Sequence, residues 1–175
     1  MQWFINAFVA VRDFMELGGP VLTLIGWTIF GMWVLIVERM IYFQTGLSLL
    51  RKEINNAWAA RPERRSWHAH QIRDGMISRY EMSANTTVPI VQTLVALCPL
   101  LGLMGTVTGM IEVFDVMAFS GSGNARSMAS GVSKATIPTM AGMVGALSGV
   151  FLVTILTRRV ETEVEMLEDE LTMDL

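Results

Sequence analysis

Three long stretches of this chain carry no charged residue: 17–37, 83–111 and 135–157. At about 1.5 Å rise per residue, each covers the roughly 30 Å hydrocarbon core of a bilayer. Three such runs in so short a chain predict three membrane-spanning helices. The second run starts with Ser83, Asn85, Thr86 and Thr87, polar enough to project into water. Ahead of the first run, Trp3, Phe4, Ala7, Phe8, Val11, Phe14 and Met15 recur at helical spacing. That pattern predicts a short amphipathic helix lying in the interface. Arg12, Asp13 and Glu16 stand directly before the first run, and no small-residue cleavage site follows it. A cleaved signal peptide is therefore not expected.

Between the first two runs, Leu47, Leu50, Ile54 and Trp58 form a helical stripe, and Arg61-Pro62 marks a turn. After the third run the stripe is Val160, Val164, Leu167 and Leu171, with Glu161, Glu163, Glu165, Glu168, Asp169 and Glu170 around it. The last span is expected to continue as a helix packed on a neighbour, its acidic residues a solvated face. The predicted segments are an amphipathic helix over 1–16, spans over 17–41, 83–113 and 134–157, a helical segment over 42–82, a loop over 114–133, and a terminal helix over 158–175. The fold class is an all-α integral membrane protein.

Basic residues orient it. Arg39, Arg51, Lys52, Arg61, Arg64, Arg65, Arg73 and Arg79 lie between the first and second spans, and Arg158 and Arg159 follow the third. The start of the chain has only Arg12, and the 112–134 loop only Arg126 and Lys134. The 39–82 segment and the C-terminus are thus expected in the cytoplasm, with the N-terminus and the 112–134 loop outside. Composition agrees with a membrane chain: 52% of residues are apolar and 17% charged, against about 25% charged in a soluble domain. A net charge of −3 gives no basic surface for nucleic acid. The single cysteine, Cys98, sits in an apolar run and is expected to be buried and inert.

The first span is bulky, with Trp27, Phe30, Met32, Trp33 and Leu35, and suits lipid contact. The other two are rich in small residues. Gly102, Gly105 and Gly109 on the second and Gly142, Gly145 and Gly149 on the third let helix backbones approach closely. Thr106 lies six residues inside Glu112, and Thr139 five residues inside Lys134. Both hydroxyls therefore sit about 7–9 Å below charges at one membrane surface. Gln92, Pro99 and Thr106 are spaced by sevens and share a face, and Thr136 and Thr139 share one on the third span. Two polar faces on small-residue helices predict a lumen lined by repeated copies.

The run Gly102-Leu103-Met104-Gly105-Thr106-Val107-Thr108-Gly109, then Gly131-Val132-Ser133-Lys134-Ala135-Thr136 leading to Pro138-Thr139-Met140-Ala141-Gly142, resembles the MotA/TolQ/ExbB proton-channel family, and most of all a short ExbB. The resemblance covers about residues 88–157. It implies a homopentamer in the bacterial inner membrane whose second and third spans line a central pore. It further implies an ExbD-like single-span partner within the pore, and proton flow that energises a TonB-like protein. By position, Thr106 and Thr139 match the family's pore-facing threonines. Lys134 departs from the family, which commonly has glutamate there.

Neither pore-type span holds an Asp, Glu, His, Lys or Arg between its ends. Threonine hydroxyls do not titrate near neutral pH, so a proton path here needs a carboxylate from another chain, an intramembrane Asp. Against that reading, membrane threonines commonly bond a carbonyl of their own helix. Lys134 can simply snorkel outward, or pair with Glu112 at the same level. Pro99 and Pro138 are expected to kink their helices. His68 and His70 do not amount to a metal site, and the fourteen methionines suit adaptable packing. No cofactor and no acid/base pair, nucleophile dyad or metal cluster is expected, which argues against an enzyme. A TolQ-like motor for envelope maintenance shares the same motifs, a MotA-like stator would need a fourth span, and a non-conducting scaffold is the reading from another class.

Overall fold

The computed structural model describes residues 2–120 and 125–172. Four α-helices account for nearly all of them: α1 Gln2–Ala59, α2 Trp67–Asn85, α3 Val88–Ser120 and α4 Ala125–Glu170. Three stretches, Gly18–Ala59, Trp67–Phe119 and Met128–Glu170, are long and apolar enough to cross a membrane. The chain is an all-α multi-pass membrane protein.

The helices end where local chemistry stops them. α1 is broken at Gly19, whose φ of 64° and ψ of −161° are open only to glycine. Pro20 follows, and its fixed φ suits the first turn of the helix that continues. α1 then runs to Ala59, ahead of Arg61-Pro62. Ser66 caps α2, its hydroxyl accepting the Ala69 amide at 3.3 Å. Thr86 and Thr87 separate α2 from α3, just before Pro89. The expected loop over 114–133 is mostly helix: α3 continues to Ser120 and α4 starts at Ala125, while 121–124 lie outside the described residues.

The chain divides into two compact units, one from the residues up to Met32 with Thr93–Val150, the other from Trp33–Gln92 with the residues from Phe151 onward. In the first unit, α3 and α4 run antiparallel and touch through glycine. A Cβ on Gly109 would lie 2.6 Å from Ala135 Cβ; one on Gly102 would lie 2.9 Å from Thr139 Cα. Gly142 meets the Cys98 carbonyl in the same way. The remaining glycines bring in α1: Gly145 packs on Ile29, and Gly149 on Met32 and Val95. The first span is therefore two-faced. Leu22, Ile25 and Met32 are buried against its neighbours, while Trp27 and Phe30 stay more than 60% exposed.

The second unit is held by the predicted stripes and by arginines. Leu47, Ile54 and Trp58 of α1 are buried, as are Val160 and Leu167 of α4 and the Leu171 that follows it. Tyr80 of α2 is fully buried among them. The carbonyls left without helical amide partners at two helix ends are met by cations, as the dipole favours. Arg73 donates to the carbonyls of Glu168 and Leu171, each at 2.8 Å. Arg39, 4% exposed, donates to Ala84 O at 3.1 Å and to Ser83 O. Its guanidinium lies 4.7 Å over the Tyr42 ring and 5.4 Å over Phe43.

Candidate functional site

Thr139, half-buried, does not bond its own helix. Its hydroxyl donates to the Gly102 carbonyl of α3 at 2.9 Å, across the glycine contact. Only an unsubstituted Gly102 lets the two backbones come this close, so the glycine and the threonine work as one joint. Thr106, one turn on from Gly102, donates to Leu103 O at 2.7 Å, and Thr136 donates to Ser133 O at 2.8 Å. Those two hydroxyls follow the ordinary pattern of membrane threonines. Gln92 and Pro99 are exposed on α3, and Thr106, one turn from the Gly102 contact, is half-buried.

Gly105 and Gly109 face Pro138 and Ala135. Beyond them opens a cavity of about 480 Å³, lined by Gly18, Gly19 and Pro20 of α1, by Thr108, Glu112, Val113, Val116 and Met117 of α3, and by Met128, Lys134 and Pro138 of α4, among others. Glu16 also lines it and is paired with Arg12 at 3.0 Å. Glu112 and Lys134 share this cavity, but among the described residues no ion pair joins them. Nor do three His, Cys, Asp or Glu side chains of the described residues gather at metal-binding spacing.

The second unit holds a separate polar cluster. Arg51 bonds Glu163 at 3.4 Å and grips both oxygens of Glu170, with Asn55 bonding the same carboxylate. Hydrogen bonds from Arg51 and Asn55 hold the Glu170 carboxyl below its usual range, and the Arg51 guanidinium is pushed up in return. Tyr80 donates to Glu163 at 3.3 Å; burial, and then the negative Glu163, push its phenol above its ordinary value. Sequence reasoning did not single out Arg39, Arg51 or Tyr80. The available signal for Arg39 was its place at the end of an uncharged run, next to Tyr42 and Phe43.

Charge-free spans joined backbone to backbone through glycine, with a hydroxyl at the joint, define a multi-pass helical membrane protein. The chain belongs to the MotA/TolQ/ExbB proton channel family, whose model matches residues 42–169. It is similar to two ExbB-like biopolymer transport proteins of Synechocystis sp. One is 41% identical over 70 residues, 38% of this chain; the other is 36% identical over 59 residues, 33% of this chain. Each match spans 28% of the relative's own length.

Proposed function

We propose that this chain is the ExbB-like subunit of a motor in the bacterial inner membrane, driven by the proton-motive force. In this reading copies of the chain, five in the family pattern, surround a lumen lined by the second and third spans. Gln92, Pro99, Thr106, Thr136 and Thr139 face that lumen; Glu112 and Lys134 are charges at the periplasmic membrane interface. A single-span ExbD-like partner brings an aspartate into the lumen, and the movement energises a TonB-like protein for outer-membrane import. The N-terminus lies in the periplasm and the C-terminus in the cytoplasm, as the arginine distribution favours.

The observation that carries the reading is the Thr139–Gly102 joint, with Thr106 one turn away, on helices that hold no Asp, Glu, His, Lys or Arg in their membrane portion. Both hydroxyls already spend their proton on carbonyls. What they offer an incoming group is lone pairs. A protonated carboxyl has an O–H to give and is welcomed at this level; a carboxylate needs donors and is not, until the hydroxyls rotate. A proton carrier that is neutral inside the membrane and charged at its ends is what conduction requires.

The test is proton flux through the complex of this chain with its single-span partner. Thr106→Val, which keeps the shape and removes the acceptor, is expected to lower flux about tenfold, the equivalent of one hydrogen bond of roughly 1.4 kcal/mol. Thr139→Val is expected to lower it further, because the α3–α4 joint is lost as well. Flux unchanged in both variants refutes the reading. A TolQ-like role uses the same residues, and the neighbouring genes separate the two. A wild-type complex that fails to dissipate a proton gradient would favour a non-conducting scaffold.

A further inference from the structure

We propose that the cavity bounded by Glu16, Glu112 and Lys134 is a binding site for the zwitterionic headgroup of a phospholipid, an ammonium joined to a phosphate. The cavity sits at interface depth: Glu112 and Lys134 are the charges that close the second and third uncharged stretches at one membrane surface. Its volume of about 480 Å³ falls within the roughly 300–1,000 Å³ usual for small-ligand sites.

Both charges of such a headgroup find a counterpart there. Lys134 is the cation, with three donors for phosphate oxygens. Glu112 is an acceptor for the ammonium, and Glu16, already paired with Arg12, is a second and weaker one. Neither Glu112 nor Lys134 uses its charge on a partner among the described residues. Two opposite charges that line one cavity without meeting suit a ligand bearing both signs at a fixed separation. An anion alone would leave Glu112 opposed, and a cation alone would leave Lys134 opposed.

The walls fit the remainder of the lipid. A Cβ on Gly19 would meet nothing within 4 Å, and the break there turns α1 at the cavity rim. Val113, Val116, Met117 and Met128 provide an apolar surface for the start of an acyl chain. The site requires only a membrane-embedded chain, so it stands independently of the motor reading.

The experiment is native mass spectrometry of the whole chain released from vesicles of equal parts phosphatidylethanolamine, phosphatidylglycerol and phosphatidylcholine. The wild type is expected to retain phosphatidylethanolamine in preference to phosphatidylglycerol. Lys134→Gln and Glu112→Gln are each expected to cut that retention about tenfold, with helical content by circular dichroism unchanged. Thr108→Leu, which narrows the cavity without touching a charge, is expected to cut retention of all three lipids. Equal retention of all three by the wild type overturns the proposal. So does retention that survives both Gln variants, or free phosphoethanolamine competing as well as the lipid. A cross-link from Lys134 to a second copy of the chain in place of lipid also overturns it.

Discussion

Replacing Gly102 by alanine adds one methyl group where the backbones of α3 and α4 meet. The new Cβ would lie 2.9 Å from Thr139 Cα and 3.1 Å from the Pro138 carbonyl. Both are backbone atoms of a helix and cannot swing aside. Carbon atoms rest at about 3.5–4.0 Å, so the helices must separate by roughly 0.6–1 Å. A gap of that size forfeits a quarter to a half of the dispersion energy of each contact it opens. It also lengthens the 2.9 Å Thr139–Gly102 bond beyond hydrogen-bonding range. Overpacking costs about 1–3 kcal/mol and an interhelical membrane hydrogen bond about 0.6, offset in part by up to about 1 kcal/mol of helix propensity. The net expectation is a loss of about 0.6–3.6 kcal/mol. The assay is reversible unfolding of the chain in mixed micelles, followed by circular dichroism, with Gly75→Ala as reference. Nothing lies within 4 Å of a Cβ on Gly75, so that variant is expected to be neutral or up to about 1 kcal/mol more stable. If Gly102→Ala matches Gly75→Ala, the two spans do not meet through glycine, and the reasoning fails.

Arg39→Gln is expected to cost about 2–4 kcal/mol, because it removes a charged donor from two carbonyls and a cation from two aromatic rings. Hydrogen exchange should accelerate first at the Ala84–Thr87 end of α2, and Arg39→Lys should rescue it only in part, since a single ammonium lacks the fork. Equal exchange in wild type and Arg39→Gln would refute the capping role. Glu170 has a depressed carboxyl pKa, so its contribution is present above the ordinary value near 4.5 and is lost as pH falls below it. Thermal stability of the wild type should therefore fall more steeply from pH 5 to pH 3 than that of Glu170→Gln; parallel curves would count against the Arg51–Glu170 pairing. The half-exposed carboxylate limits the difference to about 1 kcal/mol.

Much of the fold is local and was legible in the residues. A run without charge is a span because hydrocarbon rejects charge whatever the tertiary arrangement. The stripes through Leu47, Ile54 and Trp58, and through Val160, Leu167 and Leu171, became buried faces because helical periodicity alone decides which residues share a side. Gly102, Gly109 and Gly142 announced close approach for the same reason: the absence of a side chain is a property of one residue. The partner in each approach is not. Gly145 and Gly149 meet Ile29 and Met32 of the first span, which composition suggested would face lipid on all sides.

Tertiary structure also decided where the hydroxyls point. Thr106, Thr136 and Thr139 look alike in sequence, yet Thr106 and Thr136 bond their own helix, while Thr139 reaches across to Gly102. The difference depends on which residue lies opposite when two antiparallel helices are in register, which no periodicity within either helix contains. Likewise Glu112 and Lys134 could be placed at one depth from the sequence, but not in one cavity with Glu16. Depth follows from counting residues along an axis. Lateral position follows from how helices cross, and that is fixed by the sum of many small contacts made only once the chain has folded.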